Sequence, residues 1–308
     1  MTISEYGLMA VAATFAFGGQ MAQAATVDLP IGVQLYTLRD AGTVEERLAA
    51  VERAGIKYVE TAGALGATGE DARALLESYG LSAISAHVGL SELRDNLDDV
   101  IAYNKAIGND TIVLPNVPGR PTDAAGWATL GAELGGIANT LDDAGMRLAY
   151  HNHAWELEEF DGRTALEILL ESAGPLVKAQ LDLAWAHVAG VDPVEMLNKL
   201  AGQVISVHAK DVATEPGPTT GGTPPAMFAA VGEGVLDWSA ILPAAELAGV
   251  EWYIIEHDFP PNAENVITVS NQFLTGQLAP PAPVPLPASL PLLAAGLVAF
   301  GLIRRRAA

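Results

Sequence analysis

Between residues 27 and 276, short apolar runs alternate with stretches whose apolar positions recur every three to four residues, the rhythm of buried strands and amphipathic helices. Residues 31–38 (IGVQLYTL) predict a buried strand. Residues 43–54 predict a helix with Thr43 as N-cap, Glu46 completing a capping box and Gly55 ending it. Further strands are predicted at 58–61, 81–89, 110–115, 147–153, 177–183, 204–210 and 252–256. The helices between and after them are predicted at 70–79, 91–107 (capped by Ser91), 122–144, 164–172, 193–200, 238–248 and 264–274. About eight strand–helix units with near-continuous apolar strands imply an α/β protein with a parallel sheet covered on both faces. In one domain of this length they predict a (β/α)8 TIM barrel over 27–276. No GxGxxG follows the first strand, so a dinucleotide-binding sheet has no support.

The two ends break the rhythm. Residues 8–17 form a short apolar run, followed by Gly18, Gly19 and the small-residue stretch Ala22-Gln23-Ala24, which predicts a signal peptide over 1–24. Its n-region departs from the usual pattern, carrying Glu5 and no Lys or Arg. Residues 277–287 predict a proline-rich linker. Residues 284–303 are uncharged and apolar for long enough to cross a bilayer as a transmembrane helix, and Arg304, Arg305 and Arg306 follow at once. The positive-inside rule puts those arginines in the cytoplasm and the body of the protein outside. Val284-Pro285-Leu286-Pro287-Ala288, the apolar helix and the Arg cluster (284–308) together resemble the VPLPA type of bacterial C-terminal sorting signal. That type is similar to the PEP type processed by exosortase-like enzymes. The resemblance implies an exported protein of a Gram-negative cell envelope or periplasm, held at the membrane by its C-terminal helix, with a processing protease as a partner.

Polar residues gather where the predicted strands end. Gln34 lies on strand one, His87 ends strand three, and His151-Asn152-His153 ends strand five with Glu156 just beyond. Asp182 falls on strand six, His208 with Lys210 and Asp211 on strand seven, and Glu256, His257 and Asp258 on strand eight. Five of the six histidines lie at or beside these ends, and the sixth, His187, just past strand six. In this fold the chemistry sits at the C-terminal ends of the strands. Carboxylates crowded there repel one another unless a cation neutralises them, and mixed imidazole and carboxylate donors suit Mn²⁺, Fe²⁺, Co²⁺ or Zn²⁺. A divalent metal is therefore expected, with Mg²⁺ also open.

The formal net charge of −21 argues against a nucleic-acid partner, which would need a basic face. Setting aside Glu5 and the terminal arginines makes the body more acidic still. The absence of cysteine excludes disulfides, thiolate nucleophiles and zinc–sulfur sites.

The segments VQLYTLRD (33–40), YHNHAWELEEFDG (150–162), AQLDLAW (179–185), VHAKD (207–211), VGEGVLDW (231–238) and IIEHD (254–258) resemble, in order, the xylose isomerase-like barrel family. This is also called the sugar phosphate isomerase/epimerase family. The resemblance implies a metal held by Asp182, His208 and Glu256, with a fourth, acidic ligand from strand five. There the chain departs: His151 stands where many members have Glu, so the fourth ligand is Glu156 or His151. Trp185 replaces a common His and would wall a sugar face. The YHNH segment is more similar to the branch that includes inosose dehydratase.

The implied reaction is proton abstraction next to a carbonyl of a small-molecule sugar, giving isomerisation or epimerisation. Glu256, His151, His153 and Lys210 are the expected catalytic groups. Gln34, His87, Asn152 and Trp185 are the expected substrate contacts. An inosose dehydratase-like lyase and a non-catalytic exported carbohydrate-binding barrel stand as alternatives; the acidic body makes the related nucleases remote. The absence of a glycine-rich phosphate cradle favours an unphosphorylated substrate, and residues 214–225 are a candidate lid. Because members of this family often pair, a homodimer is an expected assembly.

Overall fold

Strands that are apolar along their whole length must be covered on both faces, and this chain closes the sheet on itself to do so. In the computed structural model, which describes residues 29–215, 219–220 and 227–279, eight parallel strands form a closed barrel. They are β1 (Ile31–Gln34), β2 (Tyr58–Ala62), β3 (Ser82–His87), β4 (Thr111–Leu114), β5 (Arg147–His151), β6 (Val177–Asp182), β7 (Val204–Ala209) and β8 (Trp252–Ile255). Neighbours pair in chain order, and β1 closes the ring against β8 with Ile31 opposite Tyr253.

The outer layer consists of α1 (Val44–Arg53), α2 (Gly69–Ser78), α3 (Leu90–Asp95), α4 (Leu97–Ile107), α5 (Ala124–Asp143), α6 (Ala165–Ala173), α7 (Leu183–Val188), α8 (Pro193–Lys199), α9 (Trp238–Ala248) and α10 (Ala263–Leu278). The capping box of α1 forms as expected: Thr43 N–H donates to Glu46 Oε2 at 2.7 Å, and Glu46 N–H to Thr43 Oγ1 at 3.3 Å.

Local hydrogen bonds move several expected boundaries. The first strand stops at Gln34, because the Gln34 side chain accepts from Tyr36 N–H at 2.9 Å and caps a 3₁₀ turn at Leu35–Leu38. The expected helix over 91–107 is two helices, and Gly89 rather than Ser91 is the N-cap. The break falls at Asn96, which leaves helical dihedrals (φ −135°, ψ 31°) while its amide donates to Glu92 Oε2 at 3.0 Å. The fifth strand ends at His151 because the next residue turns its amide toward Asp182. The last helix continues to Leu278, two residues into the expected linker, since neither Gly nor Pro falls at a position that stops it.

The VHAKD and VGEGVLDW segments are tied together by Asp211. Its buried carboxylate accepts from the N–H groups of Val212, Gly232 and Leu236 and from Trp238 Nε1. A side chain at Gly234 would collide with that carboxylate.

The expected leader, most of the linker, the apolar C-terminal segment and much of the 214–225 loop lie outside the described residues. No helix among the described residues is long and apolar enough to cross a membrane.

Helices α5 and α6 touch along glycines. A Cβ on Gly135 would sit 2.5 Å from Ala173 O, whereas a Cβ on Gly136 would meet nothing within 4 Å. Adjacent substitutions are therefore expected to have opposite signs. Gly136→Ala should raise stability by up to about 1 kcal/mol through helix propensity, and Gly135→Ala should lower it by about 1–3 kcal/mol through overpacking. Urea denaturation of the two variants checks this.

Candidate metal centre

The barrel strands deliver their last residues to one buried locus. His151 closes β5, Asp182 closes β6, His208 lies one residue from the end of β7, and Glu256 follows β8. Each of these is buried. One donor atom from each of His151, Asp182, His208 and Glu256 falls within 4.8 Å of the others. A second grouping, His87 with His151 and His208, adjoins it.

Each position is fixed locally. Asp182 caps α7, its Oδ1 accepting from Trp185 N–H at 2.9 Å. Asn152 pairs with the same residue's backbone: Asp182 N–H donates to Asn152 Oδ1 at 3.0 Å, and Asn152 Nδ2 donates to Asp182 O at 3.4 Å. The two ring nitrogens of His208 reach Glu256 Oε2 at 2.8 Å and Glu60 Oε1 at 2.7 Å. Lys210 Nζ, wholly buried, lies 2.8 Å from Asp182, 2.6 Å from Glu256 and 2.6 Å from Asp258.

Burial and pairing set the protonation states. Burial works against a charged His208, but Glu256 and Glu60 outweigh it and push the ring up to about 10. Burial likewise opposes the Lys210 ammonium, which Asp182, Asp258 and Glu256 hold charged well above the ordinary lysine range. Glu256 is kept ionised well below the carboxylate range by Lys210 and His208 despite its burial. Burial raises Asp182 to about 6. His151 and His153 are neutral: burial, reinforced by neighbouring positive charge, holds His151 far below its ordinary value and His153 at about 3.

The donor set fits a divalent cation. His151 Nδ1 is buried without a hydrogen-bond partner among the described residues, whereas Asp182 Oδ2 is ion-paired with Lys210 at 2.8 Å. An orphaned atom of this kind calls for a ligand, because leaving a buried polar group unpaired costs about 1–3 kcal/mol. Two imidazoles and two carboxylates match the borderline-soft ions of the first transition row.

Three residues expected at the site have other duties. Glu156 is not in the cluster: it accepts from Tyr150 Oη at 2.8 Å, Trp155 Nε1 at 2.6 Å and His153 N–H at 2.8 Å. Burial raises it to about 7. Gln34 and Asn152, expected to touch substrate, are wholly buried, and spend their amides on Glu60 with Tyr36 N–H and on the Asp182 backbone. His87 stays partly exposed at the mouth, 2.9 Å from Gln180 and 3.0 Å from Glu60. Trp185 packs edge-on against Phe228 at 5.0 Å between ring centroids, and its Nε1, like His153 Nδ1, is buried without a hydrogen-bond partner among the described residues.

Glu60 is the residue the sequence reading passed over. A carboxylate inside the strand YVETA, between Val59 and Thr61, was the available signal. Its Oε1 meets Gln34, His87 and His208, and its Oε2 accepts from Ser85 Oγ and Gln180 Nε2, both at 2.6 Å.

The sequence profile of the xylose isomerase-like TIM barrel matches residues 48–275. This chain belongs to that family. An inosose dehydratase of Geobacillus kaustophilus (strain HTA426) is 40% identical over 96 residues, which span 30% of each chain. A sugar phosphate isomerase/epimerase of Parabacteroides distasonis ATCC 8503 is 18% identical and superposes with a TM-score of 0.68, covering 83% of this chain and 96% of its own. The IOLI protein, crystallised with a zinc atom, is 14% identical with a TM-score of 0.65, covering 82% of this chain and 98% of its own. Both solved structures share the fold.

Within a xylose isomerase-like barrel the fourth donor can be tested directly. His151→Ala is expected to weaken Zn²⁺ binding at least about tenfold, the lower end of the losses seen for groups around metal ligands. Glu156→Gln should leave the affinity unchanged while lowering stability by about 1–3 kcal/mol through mismatched buried donors. Calorimetric titration with Zn²⁺ and thermal melts of both variants check this.

Proposed function

We propose that this protein is a metal-dependent sugar isomerase or epimerase that removes a proton next to the carbonyl of an unphosphorylated keto-sugar or keto-cyclitol. The observation that carries the reading is the buried cluster of His151, Asp182, His208 and Glu256, in which His151 Nδ1 has no partner among the described residues. These four residues would hold the metal. When bound, a divalent cation supplies Lewis-acid polarisation of a carbonyl oxygen.

The chain's own groups divide the remaining work. Glu256, ionised and at the rim of the cluster, is the group to accept the α-proton. The Lys210 ammonium is too well paired to act as a base, and offsets negative charge developing on the substrate. His151 and His153 are neutral, so neither is an imidazolium acid; His153 Nδ1 and Trp185 Nε1, buried and without a hydrogen-bond partner among the described residues, are suited to orienting hydroxyls. Trp185 and Phe228 supply an apolar wall for the carbon face of a sugar ring.

Return of the proton to carbon gives isomerisation or epimerisation. Loss of a β-hydroxyl as water gives dehydration, which the 40% identity to an inosose dehydratase over 96 residues supports as a second outcome.

On the sequence of the ends alone, we further propose export to the cell envelope, with residues 1–24 as a leader and 284–308 as a sorting segment processed by a membrane protease. Association as a homodimer is proposed separately, from the family resemblance alone.

Exchange of substrate α-protons in D₂O, followed by proton NMR over a panel of unphosphorylated ketoses and keto-cyclitols, tests the reaction. Metal-loaded wild type should exchange, and Glu256→Gln should slow exchange by about 10²–10⁴-fold. Sugar binding without exchange would replace the enzyme with a binding protein. Cell fractionation of the full chain tests export: a mature form in the envelope is expected, and full-length protein confined to the cytoplasm contradicts it.

A further inference from the structure

We infer that Glu60 is the positioning carboxylate of the metal centre, fixing the tautomer and ring angle of His208. The inference rests on the metal reading above. A histidine ligates only through a nitrogen that carries a lone pair, and which nitrogen that is depends on the partner of the other one. His208 Nδ1 faces the cluster, 2.8 Å from Glu256 Oε2 and 4.0 Å from Asp182 Oδ2. Its Nε2 faces away, 2.7 Å from Glu60 Oε1. Glu60 Oε1 also accepts from Gln34 Nε2 at 2.8 Å, so this oxygen is an acceptor; Nε2 therefore carries the proton and Nδ1 is left to the metal.

Glu60 is built to hold this position rather than to ligate. It belongs to neither grouping of candidate metal donors. Four other side chains clamp it: Gln34 at 2.8 Å, His87 at 3.0 Å, and Ser85 and Gln180 at 2.6 Å. The barrel is irregular where this clamp forms. The β2–β3 register shifts between Val59 and Glu60, bringing Ser85 opposite Glu60, and the β6–β7 register shifts between Ala179 and Gln180, bringing Ser206 opposite Gln180. Each of those serines bonds the residue it faces, Ser206 Oγ accepting from Gln180 Nε2 at 3.2 Å. Bulges beside a site re-aim side chains, and here both serve one carboxylate.

The test uses Co²⁺ as the probe, with its visible absorption reporting ligand geometry. Wild type should bind Co²⁺ and give a ligand-field spectrum. Glu60→Gln should weaken binding about 10–100-fold and change that spectrum. Ser85→Ala, which loses a bond to the same carboxylate without touching His208, should bind within about threefold of wild type. Glu60→Gln with unchanged affinity and spectrum overturns the inference, as does Ser85→Ala weakening binding equally. Failure of wild type to bind Co²⁺ instead overturns the metal reading beneath it. Should Glu60→Gln not fold, long-range ¹H–¹⁵N spectra of the Zn²⁺-loaded wild type decide the matter. A protonated His208 Nε2 supports the inference and a metal-bound Nε2 contradicts it.

Discussion

Lys210 Nζ lies within 2.8 Å of three carboxylates, Asp182, Glu256 and Asp258, in a part of the barrel almost closed to solvent. Glu60 adds a fourth carboxylate on the far side of His208. Against these four stand two cations, Lys210 and the His208 imidazolium. Buried charge has to be paired or it is strongly destabilising; a divalent ion on His208 Nδ1 would displace that ring's second proton, so the ion and Lys210 would together set three positive charges against the four carboxylates. The raised Asp182 expresses the same imbalance, its burial only partly offset by Lys210. His151 and His153, held neutral, take no part in the balance and keep lone pairs available.

The barrel makes this concentration of charge tolerable by holding every group from more than one direction. Asp182 is fixed through its backbone by Asn152 and through its side chain by the start of α7. Glu60 is fixed from β1, β3, β6 and β7 at once. Asp211 lies two residues beyond the chain's turn out of β7 and ties the Gly232–Leu236 loop back to the barrel. Rigid placement of this kind is what a metal site requires, because ligand geometry depends on the groups behind the ligands.

Much of this was legible in the sequence. The alternation of apolar runs and amphipathic stretches carries the eight-fold barrel, and the polar strand ends mark Asp182, His208, Lys210 and Glu256. What escaped depended on contacts distant along the chain. Glu60 reads as an isolated charge in a strand until β3, β6 and β7 are folded around it. Gln34 and Asn152 read as substrate contacts at strand ends, whereas their amides are consumed by Glu60 and the Asp182 backbone. The helix break at Asn96 falls within an otherwise continuous helical pattern, where the backbone leaves helical dihedrals and the side chain bonds Glu92. Glu156 was a reasonable ligand by proximity in sequence, but Tyr150, Trp155 and the His153 amide hold it outside the cluster.

Membership of the xylose isomerase-like family makes His151 the residue of most interest, since it stands at the position where the resemblance leads one to expect a carboxylate. Replacing a carboxylate by a neutral imidazole lessens the negative charge on the site while preserving a donor. The most direct test is a crystal structure grown with Zn²⁺, with an anomalous difference map collected at the zinc edge. A peak bonded by His151, Asp182, His208 and Glu256 is the predicted result. A map with no peak at this locus, or a zinc ion bound by Glu156 in place of His151, would contradict it.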